Sequence, residues 1–456
     1  MQTFAPLVRD TRAKINRTTS ILFLVQLFGA LGAGFFFFVQ NILGGIFKLD
    51  EMHMLGALER VNEPILWFIM FWGTDFFMIA MTAVLCYLIA GLPGLTPGLA
   101  LSIYFAHFAG AQPVQAEEGY FAFFATPLRG GGGVNIGYLG YFFMAVFCAL
   151  LIKMLYAGWD ALKKKTGKLE KIIEQVDLIV LILIIPVCAA ALTFVLVRYG
   201  IQKPMGLFGP WAQEALLALA DSNIWLVGLL FGLMAGFDVV GPVSMTAFGA
   251  AAAAFLSTGD ARLLTIYGVC FITVGWAPPV MVILSKLLKK PVTDSDDLNI
   301  AVSGPINAIF ENIKLTAAFS MPFAMRAPLA VIPGLMAGSG FAGLVTALSG
   351  IVNTSYATEL PKYALGKTMA ELLERGEMYL SFTLPLRSGD WLRCRIPLFF
   401  IIIAGGLVGG AVMYFLRLLQ VKGQKKRDTY VEPKGDIVLE MRELAHARRQ
   451  ELGGRG

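Results

Sequence analysis

The chain has 456 residues, of which 57% are hydrophobic and only 15% carry a charge, with a formal net charge of +6. A soluble domain usually has about 25% charged residues, and a soluble globule of this size could not bury so much apolar surface. The composition therefore excludes a soluble enzyme, a disordered chain and a disulfide scaffold, and it predicts an all-α polytopic membrane protein.

Apolar runs long enough to cross a bilayer, which takes about 20 residues, recur along the chain. In order they are residues 21–47, 64–90, 92–111, 136–159, 176–197, 263–287, 328–352 and 396–418. Two further apolar stretches, 225–256 and 300–324, are interrupted by polar residues, Gly or Pro. The amphipathic segment 202–223 is predicted to lie along the membrane surface.

Clusters of Lys and Arg alternate with these runs in the way that the positive-inside rule describes for cytoplasmic loops. They lie at residues 9–17, 163–171, 286–290 and 422–427. Their position between apolar runs argues against nucleic-acid binding and places both termini in the cytoplasm. The predicted organisation is a cytoplasmic segment 1–20, a transmembrane domain 21–420 and a basic cytoplasmic tail 421–456.

The orientation of the runs predicts that segment 225–256 enters and leaves the membrane by the same face. Residues 237–242 (FDVVGP) break it near its middle, and each half of about 15 residues is too short to cross alone. A similar argument predicts that segment 300–324 re-enters from the cytoplasm. The predicted fold has about 8–10 transmembrane helices with two re-entrant hairpins.

Broken helices at membrane depth line cavities or are packed in protein, and transporters use them to hold substrates. The alternative interpretation is that Gly and Pro only kink packed helices. Ionisable residues in spans are candidates for function: Asp238 lies inside the first break, and Glu311 lies in the second stretch, where Lys314 could neutralise it. His107 is either a packing residue or a proton relay.

Two other charged residues have alternative interpretations. Asp75 could be a coupling carboxylate or a hydrogen-bond partner of a neighbouring helix. Arg326, which precedes Pro328, could face a cavity or mark the membrane interface.

Five local patterns occur in one order along the chain. They are GLPGLTPGLALS (91–102), GYLGYFFMAVFCALLIKML (137–155), GLMAGFDVVGPVSMTAFG (232–249), WAPPVMVILSKLLKK (276–290) and MPFAMRAPLAVIPGLMAGS (321–339). This series resembles the membrane subunit, enzyme IIC, of the fructose family of the bacterial phosphotransferase system. The resemblance extends from about residue 21 to residue 348.

The resemblance implies the phosphotransferase-system IIC fold and a sugar permease of the bacterial inner membrane. Such a subunit holds a fructose-like sugar while a IIB partner, itself phosphorylated by IIA, phosphorylates the sugar. No IIA or IIB sequence is recognisable here, so these partners are expected to be separate polypeptides. A homodimer is expected, and no catalytic residue, metal or cofactor is expected in the chain.

The chain departs from the family pattern at two places. Asp238, Gly241 and Pro242 match the family hairpin, but Ser244 stands where Asn is usual. In the second motif Pro322 matches, but an alanine, Ala318, occupies the position of the glutamate that is the family's expected acceptor for sugar hydroxyls. Glu311, two helical turns upstream, is our candidate for its replacement; a different substrate or a divergent paralogue is the alternative.

The predicted sugar site combines polar groups with a flat apolar wall, because sugars present many hydroxyls and little apolar surface. The polar residues and their neighbours are Asp238, Gly241, Pro242, Ser244, Glu311, Asn312, Pro322 and His107. Trp276, Phe237 or Phe319 could supply the wall. Two other functions stay open: an ion-coupled secondary transporter that uses Asp75, Asp238 and Glu311, and a sensor that does not transport.

Overall fold

The computed structural model describes residues 6, 8–16, 19, 77–105, 136–165, 176–239, 241–258, 260–290, 292–293, 301–302, 304–305, 319–353 and 391–431. Within these residues all regular secondary structure is helical. The helices are α1 (Phe77–Ala90), α2 (Leu92–Ile103), α3 (Gly137–Lys165), α4 (Ile185–Val197), α5 (Lys203–Ser222), α6 (Ile224–Asp238), α7 (Pro242–Thr258), α8 (Arg262–Leu287), α9 (Met321–Arg326), α10 (Pro328–Ser349) and α11 (Ile396–Lys426).

Five helical stretches of the described chain are long and apolar enough to cross a membrane. They are Leu139–Lys164, Val176–Ser222, Arg262–Leu287, Pro328–Ser349 and Leu392–Lys426. The prediction of an all-α polytopic membrane protein is thereby confirmed. The predicted span 21–47, residues 64–76 of the span 64–90 and the centre of the second hairpin lie outside the described residues.

The amphipathic segment is a helix, α5, and it continues the preceding span without a loop. A π-helical turn, Arg198–Gln202, joins α4 to α5. One side of α5 packs against α7, where the Gln213 side chain and Gly249 are in contact. On the other side the apolar side chains of Leu207 and Trp211 are exposed, as on a helix at a lipid interface.

The predicted break in segment 225–256 is present. Helix α6 has 15 residues and α7 has 17, which correspond to about 22 Å and 26 Å of helix. Each is shorter than the hydrocarbon core of a bilayer, about 30 Å. The break between them comprises residues 239–241, so the chain forms a helical hairpin rather than one long span.

Both outer ends of this hairpin lie at the same end of the helix bundle. Gly228, near the start of α6, packs against Gly343, near the end of α10. Three residues separate the end of α7 from the start of α8. The Asn353 N–H, just beyond α10, donates to the Thr265 hydroxyl near the start of α8 at 3.0 Å. The contacts therefore support a hairpin that enters and leaves by one face, as the sequence predicts.

Helix α6 runs antiparallel to α10 along a stripe of small residues. Gly232 lies against the Ser339 carbonyl, and Gly236 lies against the backbone of Leu335. The Ser339 hydroxyl also donates to the Gly232 carbonyl at 2.7 Å. In lipid, where apolar surface gives little drive for helix association, such backbone contacts and interhelical hydrogen bonds hold helices together.

A second stripe on α10 binds the last helix. Gly334 and Gly338 lie against Gly409 and Gly405 of α11, again in antiparallel order. On its other side α11 packs parallel to α8, with Gly406 against Trp276. Helix α10 is thus enclosed between the hairpin and the α8–α11 pair, and it fixes their relative positions.

The end of the bundle opposite Asn353 is rich in basic residues, and we name it the basic end. There the Arg326 Nε donates to the Thr19 hydroxyl at 2.7 Å, and the Arg12 guanidinium donates to the Thr429 carbonyl at 2.6 Å. The N-terminal segment and the region after α11 therefore meet on one side of the molecule. Which compartment the two termini face stays a prediction.

Replacement of Gly232 with Ala should lower the stability of the bundle, because the added Cβ would collide with the Ser339 carbonyl. Overpacking of this kind costs about 1–3 kcal/mol. The measurement is the unfolding midpoint in detergent. The control is Gly158→Ala, since Gly158 has no neighbouring atom within 4 Å; equal midpoints for the two variants would contradict the packing described.

Single cysteines at Ser222 and Thr258 should react with a membrane-impermeant maleimide from the same side of the membrane, because these residues flank the hairpin. A cysteine at Lys290, at the basic end, should react from the opposite side. The exposed Cys188 is first replaced with serine. Labelling of Thr258→Cys and Lys290→Cys from one side would contradict the hairpin.

Candidate functional site

The break between α6 and α7 has an unusual backbone. Helix α6 ends at Asp238, and the next residue, Val239, has a φ of 29°. A β-branched residue in this region is a conformational outlier, and such strain is found preferentially at functional sites. Pro242 then opens α7, at a position where its fixed φ and missing N–H are tolerated.

The Asp238 carboxylate caps the second helix of the hairpin. One oxygen accepts the Val243 N–H at 2.6 Å and the other accepts the Ser244 N–H at 2.9 Å. N–H groups in the first turn of a helix have no partner within the helix, and a negative charge there also interacts favourably with the helix dipole. The carboxylate, whose residue is only 6% exposed, is therefore stabilised inside the bundle.

Ser244 extends this polar group toward α8. Its hydroxyl donates to the Gly241 carbonyl at 3.1 Å, and its side chain lies beside that of Tyr267. Ser244 and Tyr267 are both buried.

Gly241 is required by the close approach of the carboxylate. A Cβ at this position would collide with the Asp238 side chain. Four of the predicted site residues, Asp238, Gly241, Pro242 and Ser244, are therefore brought together in one capped turn. The turn has a clear structural function, and it also presents carboxylate and hydroxyl oxygens within a mainly apolar bundle.

The other predicted site residues are placed differently. Pro322 is buried on the short helix α9, which packs against α10. His107, Glu311 and Asn312 lie outside the described residues, as do Asp75 and Ala318. Whether the second hairpin contributes to a site with the first stays a prediction.

The three candidates for an apolar wall differ in exposure. Phe319 is buried, whereas Phe237, next to Asp238, is 47% exposed. Trp276 stacks edge-to-face on Phe399, with ring centres 5.5 Å apart, and its indole Nε1 is buried without a hydrogen-bond partner among the described residues. Of these, Phe237 is adjacent in sequence to the capped turn.

Tyr267 is the residue of this group that the sequence analysis missed. The signal was a hydroxyl within the apolar run LLTIYGVC of α8, where a buried polar group needs a partner. The sequence could not identify that partner, because Ser244 is on another helix and its position depends on how the hairpin packs.

The helices and the capped break define the class: a polytopic membrane protein with a broken-helix hairpin. No protein-family model matches the chain, and no solved structure matches it. Curated proteins do show similarity. The chain is 25% identical over 215 residues to the fructose-like permease IIC component 2 of Escherichia coli strain K12, which covers 47% of this chain and 56% of that protein.

Two further relatives carry related names. A PTS system fructose-specific EIIC component of Haloferax volcanii is 24% identical over 282 residues, 61% of this chain and 67% of that protein. A PTS system fructose-specific EIIB'BC component of Xanthomonas campestris pv. campestris is 27% identical over 172 residues, 37% of this chain and 28% of that protein. The chain thus spans from about a quarter to about two thirds of the length of these relatives. Their names agree with the resemblance found in the sequence motifs.

Replacement of Asp238 with Ala should destabilise the hairpin, because the N–H groups of Val243 and Ser244 would lose their acceptor. Loss of such a partner costs about 1–3 kcal/mol, and Gly241→Ala should act in the same direction. The measurement is the unfolding midpoint in detergent. The control is Asp221→Ala, which removes an exposed carboxylate; an unchanged midpoint for Asp238→Ala would contradict the capping function.

Proposed function

We propose that the chain is the IIC-type permease subunit of a fructose-like phosphotransferase system. It binds a sugar at the hairpin and moves it across the bacterial inner membrane, while a IIB protein, phosphorylated in turn by IIA, phosphorylates the sugar. The capped break carries this proposal, since transporters place substrates at such breaks. The names of the similar proteins support it, and those of fused relatives support the IIA and IIB partners.

The proposed site uses groups that can bind several sugar hydroxyls. Each oxygen of the Asp238 carboxylate accepts one backbone N–H, and each has a second lone pair for a hydroxyl donor. Ser244 and Pro242 shape the same turn. We assign the opposite wall to the second hairpin, with Glu311 and Asn312 as further acceptors near Pro322, and we include His107 from the third span.

In the proposed mechanism the hairpin and α10 move together. Their backbones are in contact along the stripe from Gly228 to Gly236, so a movement of one carries the other. Phosphorylation adds a charge to the sugar, and the product then binds poorly at an apolar site. Transport is therefore one-way without an ion gradient.

The proposed arrangement in the membrane follows from the basic end. Cytoplasmic loops are rich in Lys and Arg, so we place this end and both termini in the cytoplasm. The division into a segment 1–20, a permease domain 21–420 and a basic tail 421–456 is part of the same proposal. We also propose that the protein is a homodimer, in which the exposed apolar faces of the helices contact lipid or a second copy of the chain.

One observation favours a second candidate function, an ion-coupled transporter of a small polar solute. The buried Asp238 carboxylate lies among oxygen atoms of Gly241, Ser244 and Tyr267. Carboxylates in such surroundings carry protons or bind cations in membrane pumps and transporters. Membrane vesicles distinguish the two functions, because the permease needs phosphoenolpyruvate and the partner proteins, whereas the ion-coupled transporter needs an ion gradient.

Asp238→Asn and Glu311→Gln should each weaken fructose binding to the purified protein by about tenfold or more, because each removes a charged acceptor for sugar hydroxyls. Isothermal titration calorimetry measures the affinity. Glu214→Gln, at an exposed position on α5, is the matched control. Unfolding midpoints of the same samples show whether a variant has lost the stability that the cap provides or only its sugar binding. Wild-type affinity for fructose in both variants would show that these residues are not part of the site.

A further inference from the structure

Helix α8 carries two consecutive prolines, Pro278 and Pro279, close to its middle. A residue in an α-helix donates its N–H to the carbonyl four residues earlier, and proline has no N–H to donate. Pro279 therefore leaves the Gly275 carbonyl without its α-helical partner. Pro278 removes the donor three residues after Gly275, which would be the partner in a 3₁₀ turn. The Gly275 carbonyl is thus left unpaired by its own helix.

This carbonyl belongs to the centre of a membrane-spanning helix. Helix α8 extends from Arg262 to Leu287, and Gly275 is a buried residue at its middle. A backbone carbonyl without a partner is costly in such surroundings. Transporters direct the carbonyls of interrupted helices at their ligands. The two prolines therefore keep a backbone acceptor available inside the bundle.

The next residue of α8 supplies an unpaired donor. The Trp276 indole Nε1 is buried and has no hydrogen-bond partner among the described residues. Helix α11 holds the ring in place, because Phe399 packs edge-to-face on it and Gly406 lies against the Trp276 backbone and Cβ. Buried donors without a partner are rare in proteins. An unpaired acceptor and an unpaired donor thus occupy adjacent positions of one helix.

The two prolines lie at the same depth in the bundle as the capped turn. Ala277 of α8 contacts Gly409 of α11, and Gly409 in turn lies against Gly334 of α10. The residue after Gly334 faces Gly236, which is two residues before the capping aspartate. The interruption of α8 and the break in the hairpin are therefore at one level of the membrane.

The start of the predicted second hairpin also reaches this level. Gly304 lies so close to the Gly275 carbonyl that a Cβ on Gly304 would collide with it. A glycine is needed where one backbone approaches another so closely. Residues from α8, α11 and the segment around Gly304 therefore surround the carbonyl and the indole.

We propose that the Gly275 carbonyl and the Trp276 indole N–H form a hydroxyl-binding subsite of the sugar site. That the ligand is a sugar rests on the proposed function. A hydroxyl group both donates and accepts, so neighbouring hydroxyls of one polyol can donate to the carbonyl and accept from the indole. A metal cation fits less well, because an indole N–H is a donor only. The subsite supplies neutral partners, whereas the capped turn supplies a carboxylate.

Two substitutions test the two groups separately. In Pro279→Ala the new N–H can donate to the Gly275 carbonyl and occupy it, and Trp276→Phe removes the indole N–H but keeps an aromatic ring. Calorimetry on the purified full chain should show that each variant binds fructose about fivefold or more weakly than the wild type. Pro279→Ala should also raise the unfolding midpoint, because a hydrogen bond inside the helix is restored.

Two controls separate the carbonyl from the shape of the helix. Pro278→Ala removes the neighbouring proline, but its N–H pairs with the Val274 carbonyl, so its loss of affinity should be smaller than that of Pro279→Ala. Pro333→Ala makes the same change at an exposed position of α10 and should bind fructose like the wild type. Equal losses in Pro278→Ala and Pro279→Ala would overturn the proposal, since the kink would then decide the affinity.

Fructose analogues that each lack one hydroxyl test the same pairing without the tryptophan variant. At least one of these deoxy analogues should bind the wild type about fivefold or more weakly than fructose. The difference should disappear in Pro279→Ala, whose carbonyl already has a partner. The same discrimination in the wild type and in Pro279→Ala would overturn the subsite.

The outcomes distinguish this inference from the proposed function. Wild-type affinity for fructose in both Pro279→Ala and Trp276→Phe would overturn the subsite and leave the permease in place. The two groups would then hold no more than a buried water molecule. A wild-type protein that binds no fructose would overturn the proposed function, and the sugar subsite with it.

Discussion

Close contact between helix backbones is the constraint on which the bundle depends. Helix α10 meets α6 on one side and α11 on another through glycines, and larger residues at Gly232 or Gly409 would collide with neighbouring backbone. The hydrophobic effect contributes little to the association of helices in lipid. The helices are therefore held together by dispersion and by hydrogen bonds such as the one from Ser339 to Gly232. The short helices of the hairpin are held along their length by this contact.

A broken helix in an apolar bundle creates a second problem, because it leaves N–H groups without partners. Asp238 solves it within the hairpin itself, as the last residue of α6 accepts from the first turn of α7. The same carboxylate is then available at a site where oxygen atoms are scarce. A structural function and a ligand-binding function are compatible here, since a carboxylate has more acceptor positions than the two N–H groups use.

The basic end has a different chemical character from the turn. Hydrogen bonds from Arg12 and Arg326 join the N-terminal segment to the region after α11 and to the start of α10. The turn presents carboxylate and hydroxyl oxygens, whereas the basic end presents guanidinium groups.

The composition, the apolar runs and the break at residues 237–242 were predictable from the sequence, because run length and the backbone effects of Gly and Pro are local properties. The cap on Ser244, the contact of Ser244 with Tyr267 and the place of Arg326 in the lining of a small pocket were not. Before the structure, Arg326 had two interpretations, a cavity or the membrane interface. The tertiary structure decided these points, because each depends on which helices face one another, and that is set by packing between residues far apart in the chain.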